Sequence, residues 1–425
     1  MKKIISMLLL TALLSTVLLA CEQHGNDDIG NNFQSSDTWN GSVDTKFADG
    51  DGTEASPYEI KTGAQLAYLA QKVNSGDCCN GKYFILQNDI DLNNIEWTPI
   101  GNGVTNFSGV FNGNNHSIRN LKISVGAMYN RTYSTSNPDK TLPTYVAGLF
   151  GTCMNADIED LNIDNAHISI VGSTYKHTIY SGILCGAMYS EENTHISNIK
   201  ISNSQIKTDF EQARIPFTLF AGGAIGYTQH SESAAGTYTQ IQADVSISVE
   251  TGMASTNSIG GLVGAITTHN TCAIENACSY LSVTLDKEQC YALETFIGAF
   301  GSIQSSDELF SISNVFSAVE IDKIYDNLHG YPAYTASSII GHASHFVIGT
   351  SVAAPDGYNN KNLFGYVKQV DESTGNTQVS LQLCNYQEHA VVTETNCTGC
   401  QTLPENHGFD TSIWNLEDLS SPKLK

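Results

Sequence analysis

The chain has 425 residues, with 20 Lys and Arg against 43 Asp and Glu, and a formal charge of −23. Nucleic acid and anionic lipid surfaces demand basic patches, so this balance argues against both as partners. An acidic surface is otherwise simply a soluble one.

The first residues, Met1-Lys2-Lys3, precede an almost unbroken apolar run from Ile4 to Leu19, then Ala20-Cys21. A basic start, a short apolar core and a small residue before cysteine read as an export signal over 1–20, too short for a comfortable membrane span of about 20 apolar residues. The tetrapeptide Leu18-Leu19-Ala20-Cys21 resembles a bacterial lipobox, which implies cleavage before Cys21 and lipid on its new N-terminus; an ordinary cleaved signal is the alternative. Loss of 1–20 removes two lysines and no acid, taking the charge to −25. Residues 21–40 are polar and aperiodic, a flexible tether. Asp27 and Asp28 resemble the acidic signals of outward-facing lipoproteins in Bacteroidetes, so the expected address is the outer membrane, lipid-anchored at Cys21 and facing the cell surface.

Residues 41–82 form a small N-terminal cap. Gly50-Asp51-Gly52 and Pro57 supply turns, Tyr58-x-Ile60 begins an extended segment, and Thr62 is a suitable N-cap for a helix. In that helix Leu66, Leu69, Ala70 and Val73 share one face, a stripe that suits a lid over one end of an elongated core. From Tyr83 the pattern changes to short alternating segments between Gly and Asn turns, which predicts strands. A glycine-ended motif then recurs: Gly148-Leu149-Phe150-Gly151, Gly182 to Gly186, Gly222 to Gly226, Gly260 to Gly264, Gly298 to Gly301, and Ser338 to Gly341. Its closing glycines stand 35, 40, 38, 37 and 40 residues apart, a period that signals a solenoid or a propeller.

An Ile-x-Asn/Asp step follows most copies, at Ile158-Glu159-Asp160, Ile196-Ser197-Asn198, Ile274-Glu275-Asn276 and Ile312-Ser313-Asn314, with Ile118-Arg119-Asn120 anticipating them. The fourth copy departs, reading Ile241-Gln242-Ala243. Asparagines at one corner of successive coils tolerate left-handed backbone and bond to the coil above, forming a polar ladder. A propeller blade needs four strands per repeat. About three short strands per period fit a coil better, so the expected fold is all-β: a right-handed parallel β-helix over 83–405 with a closing segment at 406–425.

These motifs, with Trp39-Asn40-Gly41, the Phe107–Gly113 run and the ending Gly408-Phe409-Asp410 to Pro422-Lys423-Leu424, resemble the GLUG-motif proteins, in particular lipoproteins of Bacteroides-like bacteria. The resemblance spans about 39–425. It implies a β-helical envelope or surface protein, often adhesive, and brings no catalytic residue. Some relatives carry a zinc protease with His-Glu-x-x-His, which is missing from this sequence.

Candidate chemistry is sparse. Asp89 with Asp91, and Asp157, Glu159 and Asp160, are the acids to weigh for a polysaccharide-acting β-helix enzyme, but cations that would face them are scattered, and turn or surface acids are the simpler reading. His342 and His345 invite a catalytic or metal role without a neighbouring acid, and His116 suits a structural hydrogen bond. Glycine repeats match neither a nucleophile elbow nor a phosphate loop. Cys397-x-x-Cys400 is half a zinc site without its other half. The expectation is no catalytic residue, metal or cofactor. Besides Cys21, ten cysteines remain (Cys78, Cys79, Cys153, Cys185, Cys272, Cys278, Cys290, Cys384, Cys397 and Cys400), and spacing does not fix their pairing, though a local bridge among the last three suits an exported chain. Tyr129, Tyr133, Tyr175, Tyr180, Tyr325, Tyr331 and Tyr334 are read as loop residues whose rings can stack on sugars or anchor an interface. The expected function is non-enzymatic adhesion or binding of a host glycan or protein, with Tyr325, Tyr331 and Tyr334 as the candidate site. A polysaccharide lyase or hydrolase and a structural envelope spacer are the competing readings.

Overall fold

The computed structural model describes residues 38–124, 127–132, 141–171, 178–209, 217–251, 254–285, 294–305, 310–323, 335–337, 339–344, 361–371, 376–380, 384–386, 414–415 and 423–424. The expected leader and the residue Cys21 lie outside them.

The helix forms at Gly63–Asn74. Thr62 is extended and its side chain accepts the Gln65 amide at 3.2 Å, so the cap foreseen in the sequence is made. Lys72 in the last turn complements the helix dipole. Leu66, Leu69, Ala70 and Val73 are buried in the same continuous core as the solenoid. Gly63 is required because a Cβ there would stand 2.6 Å from that of Trp39. A chain of rings carries the packing onward: Phe47 to Phe84 at 5.4 Å, Phe84 to Phe107 at 5.8 Å and Phe107 to Phe150 at 5.1 Å. Each adds edge or offset ring attraction to its area burial.

Most of the remaining described chain is a parallel β-solenoid, as the repeat predicts; Ala127–Thr132, Asn376–Ser380 and the separate pair Trp414–Asn415 with Lys423–Leu424 are its antiparallel exceptions. One sheet stacks Tyr58–Ile60, Tyr83–Leu86, Val110–Asn112, Asp157–Asp164, Thr194–Asp209, Gly236–Thr251, Cys272–Leu285, Phe310–Lys323 and Lys361–Asp371, all in parallel. The other stacks Thr141–Ala147, Thr178–Gly182, Phe217–Gly222, Ala254–Thr268, Glu294–Ser305, Ile340–Ser344 and Cys384–Tyr386 in parallel. The first sheet already begins at Tyr58, inside the expected cap. Identical positions stack from coil to coil, as in Ile158, Ile196, Tyr238, Ile274 and Ile312, all buried. Full burial of such a side chain is worth about 1.5–3 kcal/mol.

Strand length departs from the expectation of three short strands per coil. Thr194–Asp209 and Gly236–Thr251 run 16 residues each, because the corners bend the strand without breaking its ladder. At one corner Asp160, Asn198, Gln240, Asn276 and Asn314 all take positive φ between 50° and 55°. Flanking pairs such as Ser197 with Thr239 and Ile199 with Ile241 stay in register across it. The polar ladder is present: Asn198 Nδ2 donates to Asp160 Oδ1 at 2.7 Å and to Asn115 Oδ1 at 3.1 Å, and Asn314 donates to Asn276 at 3.0 Å.

Two details of the sequence reading are corrected. The fourth copy of the step is Tyr238-Thr239-Gln240 and not Ile241-Gln242-Ala243, since Tyr238 pairs with Ile196 and Ile274 while Gln240 takes the left-handed turn. Ile118 pairs with Ile163 and not with Ile158, so Asn120 belongs to a second corner. There Asn165 donates to Asn120 at 2.7 Å and Asn120 donates to Asp91 at 2.7 Å.

The glycine-ended motif makes the corner of the second sheet. Leu262 and Val263 point into the core, and Gly260 folds against the Val263 carbonyl. Closing glycines form a column: a Cβ on Gly226 would lie 2.5 Å from Gly186 O, on Gly301 2.5 Å from Gly264 O, and on Gly341 2.6 Å from Gly301 O. Real Cβ atoms do not come so close to backbone, so close stacking admits glycine alone.

Cys78, Cys79, Cys153, Cys185, Cys272 and Cys278 are free thiols. Cys153 and Cys185 approach to 3.7 Å in the core, but the ladder sets Cys185 opposite Phe150 and Cys153 opposite Met188. Burial pushes the Cys79 thiol up to about 12 and raises Cys153 and Cys272 as well, making these thiols poor nucleophiles. Cys384 opens the strand Cys384–Tyr386; Cys290, Cys397 and Cys400 lie outside the described residues.

Candidate functional site

The acids weighed for catalysis serve the stacking of coils. Asp91 Oδ1 accepts the Asn93 amide at 2.7 Å and the Asn120 side chain at 2.7 Å. Asp157 Oδ1 takes the His195 amide of the next coil at 2.6 Å, Glu159 takes Asn112 Nδ2 at 2.7 Å, and Asp160 takes Asn198 Nδ2 at 2.7 Å. Asp89 Oδ1 accepts the Ser117 amide at 2.9 Å and stands 3.2 Å from His116 Nδ1, so His116 makes the structural contact its turn position suggests. Charge-assisted bonds of this kind fix the acids as links between coils. Among the described residues no three His, Cys, Asp or Glu side chains converge as a metal site. His342 lies in Ile340–Ser344, paired with Ser302, and His345 is outside the described residues.

The loop tyrosines divide. Tyr133, Tyr175, Tyr325, Tyr331 and Tyr334 lie outside the described residues. Tyr129 and Tyr180 are not loop residues: Tyr129 is in the strand Ala127–Thr132 and Tyr180 in Thr178–Gly182. Tyr180 is buried, and the reason is the geometry of the glycine corner. Along Thr178–Gly182 and its neighbour Phe217–Gly222, Ile179 and Leu219 face the main core, so Tyr180 and Phe220 face out. The corner folds this arm against Cys185–Ser190 and Ile225–His230 tightly enough that the outward faces meet. Val146, Tyr180 and Ala187 form a second, separate apolar cluster, with Tyr189, Phe220 and Tyr227 half-buried over it.

The rings in this cleft are ordered. Tyr180 stacks on Phe220 at 5.4 Å with 12° between planes, and Tyr227 lies 5.0 Å from Tyr180, 5.4 Å from Phe220 and 6.2 Å from Tyr189. Tyr227 Oη donates toward Thr267 at 3.2 Å and Gln229 at 3.3 Å, giving the aromatic floor a polar rim. In the next coil the position of Phe220 is taken by Ser258, which is buried, its Oγ donating to Gly264 O at 2.7 Å and lying 2.7 Å from Ser302 Oγ; the coil after that returns to a ring at Phe296. Sequence reasoning found Tyr180 but missed Phe220, Tyr189 and Tyr227. Their outward place in the alternation was readable, whereas the convergence of two arms was not.

A shallow depression of about 310 Å³ lies on the first sheet, lined by His167, Asn203, Gln205, Asp244, Ser246 and Ser282 among others. It sits where the second corner runs out. Asn203 makes a left-handed turn, but the next coil pairs Ser204 with Val245 after a register shift and has one residue fewer to turn with.

One titratable group is sealed inside. His230 is fully buried, its Nε2 2.9 Å from Tyr238 Oη, while Thr228 Oγ1 lies 2.7 Å from the same oxygen. His230 Nδ1 finds no partner. Burial lowers its pKa to about 4, so the ring is neutral at physiological pH.

No family model matches the chain. A stretch of 162 residues is 28% identical to a candidate Gly-rich membrane protein of Evansella cellulosilytica, covering 36% of this chain and 15% of that protein, so the chain spans about 15% of that relative's length. Among the described residues no helix is long and apolar enough to cross a membrane. Among solved structures, the chain is similar to a candidate immunoglobulin A1 protease from Bacteroides ovatus, with 18% identity, 70% of this chain and 87% of that chain covered, and a TM-score of 0.37.

Proposed function

We propose that this chain is a non-enzymatic surface lipoprotein of the GLUG type, anchored in the outer membrane through Cys21, whose solenoid presents loops that bind a host glycan or protein. The observation that carries this reading is the employment of the acids: Asp91, Asp157, Glu159 and Asp160, the groups a polysaccharide lyase or hydrolase would need, are bonded into the coil ladder. A general acid or base must instead reach substrate with its carboxyl oxygens. The membrane-protein relative and the lipobox-like leader agree with a surface address.

Tyr325, Tyr331 and Tyr334 carry the binding in this reading. The test is a glycan and host-protein array probed with residues 39–425 and with a Tyr331→Ala/Tyr334→Ala form. At least one array member should bind the unaltered protein and lose about tenfold or more in affinity with the double variant, the loss of one or two stacked rings. A protein that binds no array member, or binds it equally well without the two rings, refutes the loop site.

A further inference from the structure

We propose that the outer face of the first sheet carries a docking strip, Gln242–Cys278–Phe316, and that its occupant is this chain's own strand pair Trp414–Asn415 with Lys423–Leu424, a clasp laid across the flank of the solenoid. The clasp is separate from the loops of Tyr325–Tyr334 and needs no ligand.

Three observations carry it. The first is burial on the outward side of a sheet. After the left-handed corner at Asn276, Ala277, Leu281 and Val283 join the continuous core, so Cys278 and Tyr280 alternate to the outside. After Asn314, Val315, Val319 and Ile321 join it, so Phe316 and Ala318 do the same. Yet Cys278 and Phe316 are 0% exposed and Ala318 3%, and Cys278, Phe316 and Ala318 all stand outside that core. An outward side chain is buried in this way only by something laid over the sheet. The second is a gradient along one column. Asn162, Lys200, Gln242, Cys278 and Phe316 stand in register, and the column passes from half-buried amide and ammonium groups to a buried amide, then a buried thiol and ring. The ring of Tyr280 lies 5.6 Å from that of Phe316 and widens the strip. Thiol and phenyl surface left in water would be an adhesive patch, so these coils require a cover that the earlier ones do not. The third is position. Lys423–Leu424 lies against Gly236–Thr251 and Cys272–Leu285, the strands that bear Gln242 and Cys278. Both of those strands already have a parallel partner on each side, and Lys423–Leu424 pairs with Trp414–Asn415 instead, so it covers a face and adds no coil.

Cys278 reports the clasp, and Cys272 in the same strand, turned into the core, is its internal control. The folded protein is treated with N-ethylmaleimide, and labelling of each cysteine is followed by peptide mass spectrometry. Three forms are compared: the unaltered protein, one lacking residues 406–425, and Lys423→Pro/Leu424→Pro, which removes both backbone donors of the strand. Alkylation of Cys278 should be about tenfold faster or more in both altered forms while Cys272 stays protected, because a buried thiol reacts only as often as its cover opens. Equally slow labelling of Cys278 in all three forms overturns the clasp, since the strip is then covered without the segment. If truncation opens Cys272 together with Cys278, the proline form decides: selective opening of Cys278 there upholds the clasp, and joint opening makes the segment a folding element and overturns it. Protection of Cys278 that the unaltered protein loses on dilution assigns the strip to the segment of a second copy, and overturns the same-chain clasp.

Discussion

His230 shows what a single buried side chain adds to the behaviour of the whole. In the unfolded chain an imidazole titrates near about 6.5. In the fold it is sealed beneath Tyr238 and Thr228 and resists protonation down to about 4. Above the unfolded value both states are neutral and His230 imposes no acid penalty. As pH falls below it, the unfolded chain takes up a proton that the native chain refuses, so stability declines, reaching a loss of about 3 kcal/mol near pH 4. The urea midpoint measured from pH 7 to pH 4 should therefore fall more steeply in the unaltered protein than in His230→Phe, which keeps a flat ring and loses the titration. Parallel curves would refute the assignment, since the carboxylates are common to both.

At the scale of the element, the glycine column should prove more sensitive than its low information content suggests. Gly226→Ala would press a methyl onto Gly186 O and the Ser181 amide, both backbone, at 2.5 Å and 2.6 Å. Neither can rotate away, and the expected cost is about 1–3 kcal/mol, read as a lowered denaturation midpoint in guanidinium. The sequence makes this column legible because its spacing repeats, and it makes the asparagine corners legible because Ile-x-Asn recurs. It fails at Gln240 because a left-handed turn is a backbone demand that a glutamine also meets here, with Tyr238 filling the inward position of isoleucine. It fails too for strand length, since a bend within an unbroken ladder looks in one dimension like a turn between two strands. The aromatic cleft was hidden for a related reason. Alternation tells which residues leave the core, whereas only the fold tells that Tyr180 and Tyr227, 47 residues apart in numbering, then meet at 5.0 Å.

For the whole molecule, attachment and extent matter more than any single contact. The lipobox reading predicts that Cys21→Ala moves the protein from the membrane fraction to the soluble extracytoplasmic fraction, followed by fractionation and immunoblot; a variant that stays with the membrane shows that Cys21 is not the anchor. The solenoid itself raises a different question. A parallel stack has no intrinsic last member, because every terminal coil offers the next chain the same template that its own neighbour used, and exposed strand margins of this sort seed fibres. In this chain the direction of travel reverses at a margin of each sheet. Asn376–Ser380 pairs antiparallel with Lys361–Asp371 in one, and Ala127–Thr132 pairs antiparallel with Thr141–Ala147 in the other. A foreign coil arriving there meets a strand of the wrong polarity for continuing the stack. These two short reversals thus act as terminators, each closing one margin of its sheet to a further parallel coil.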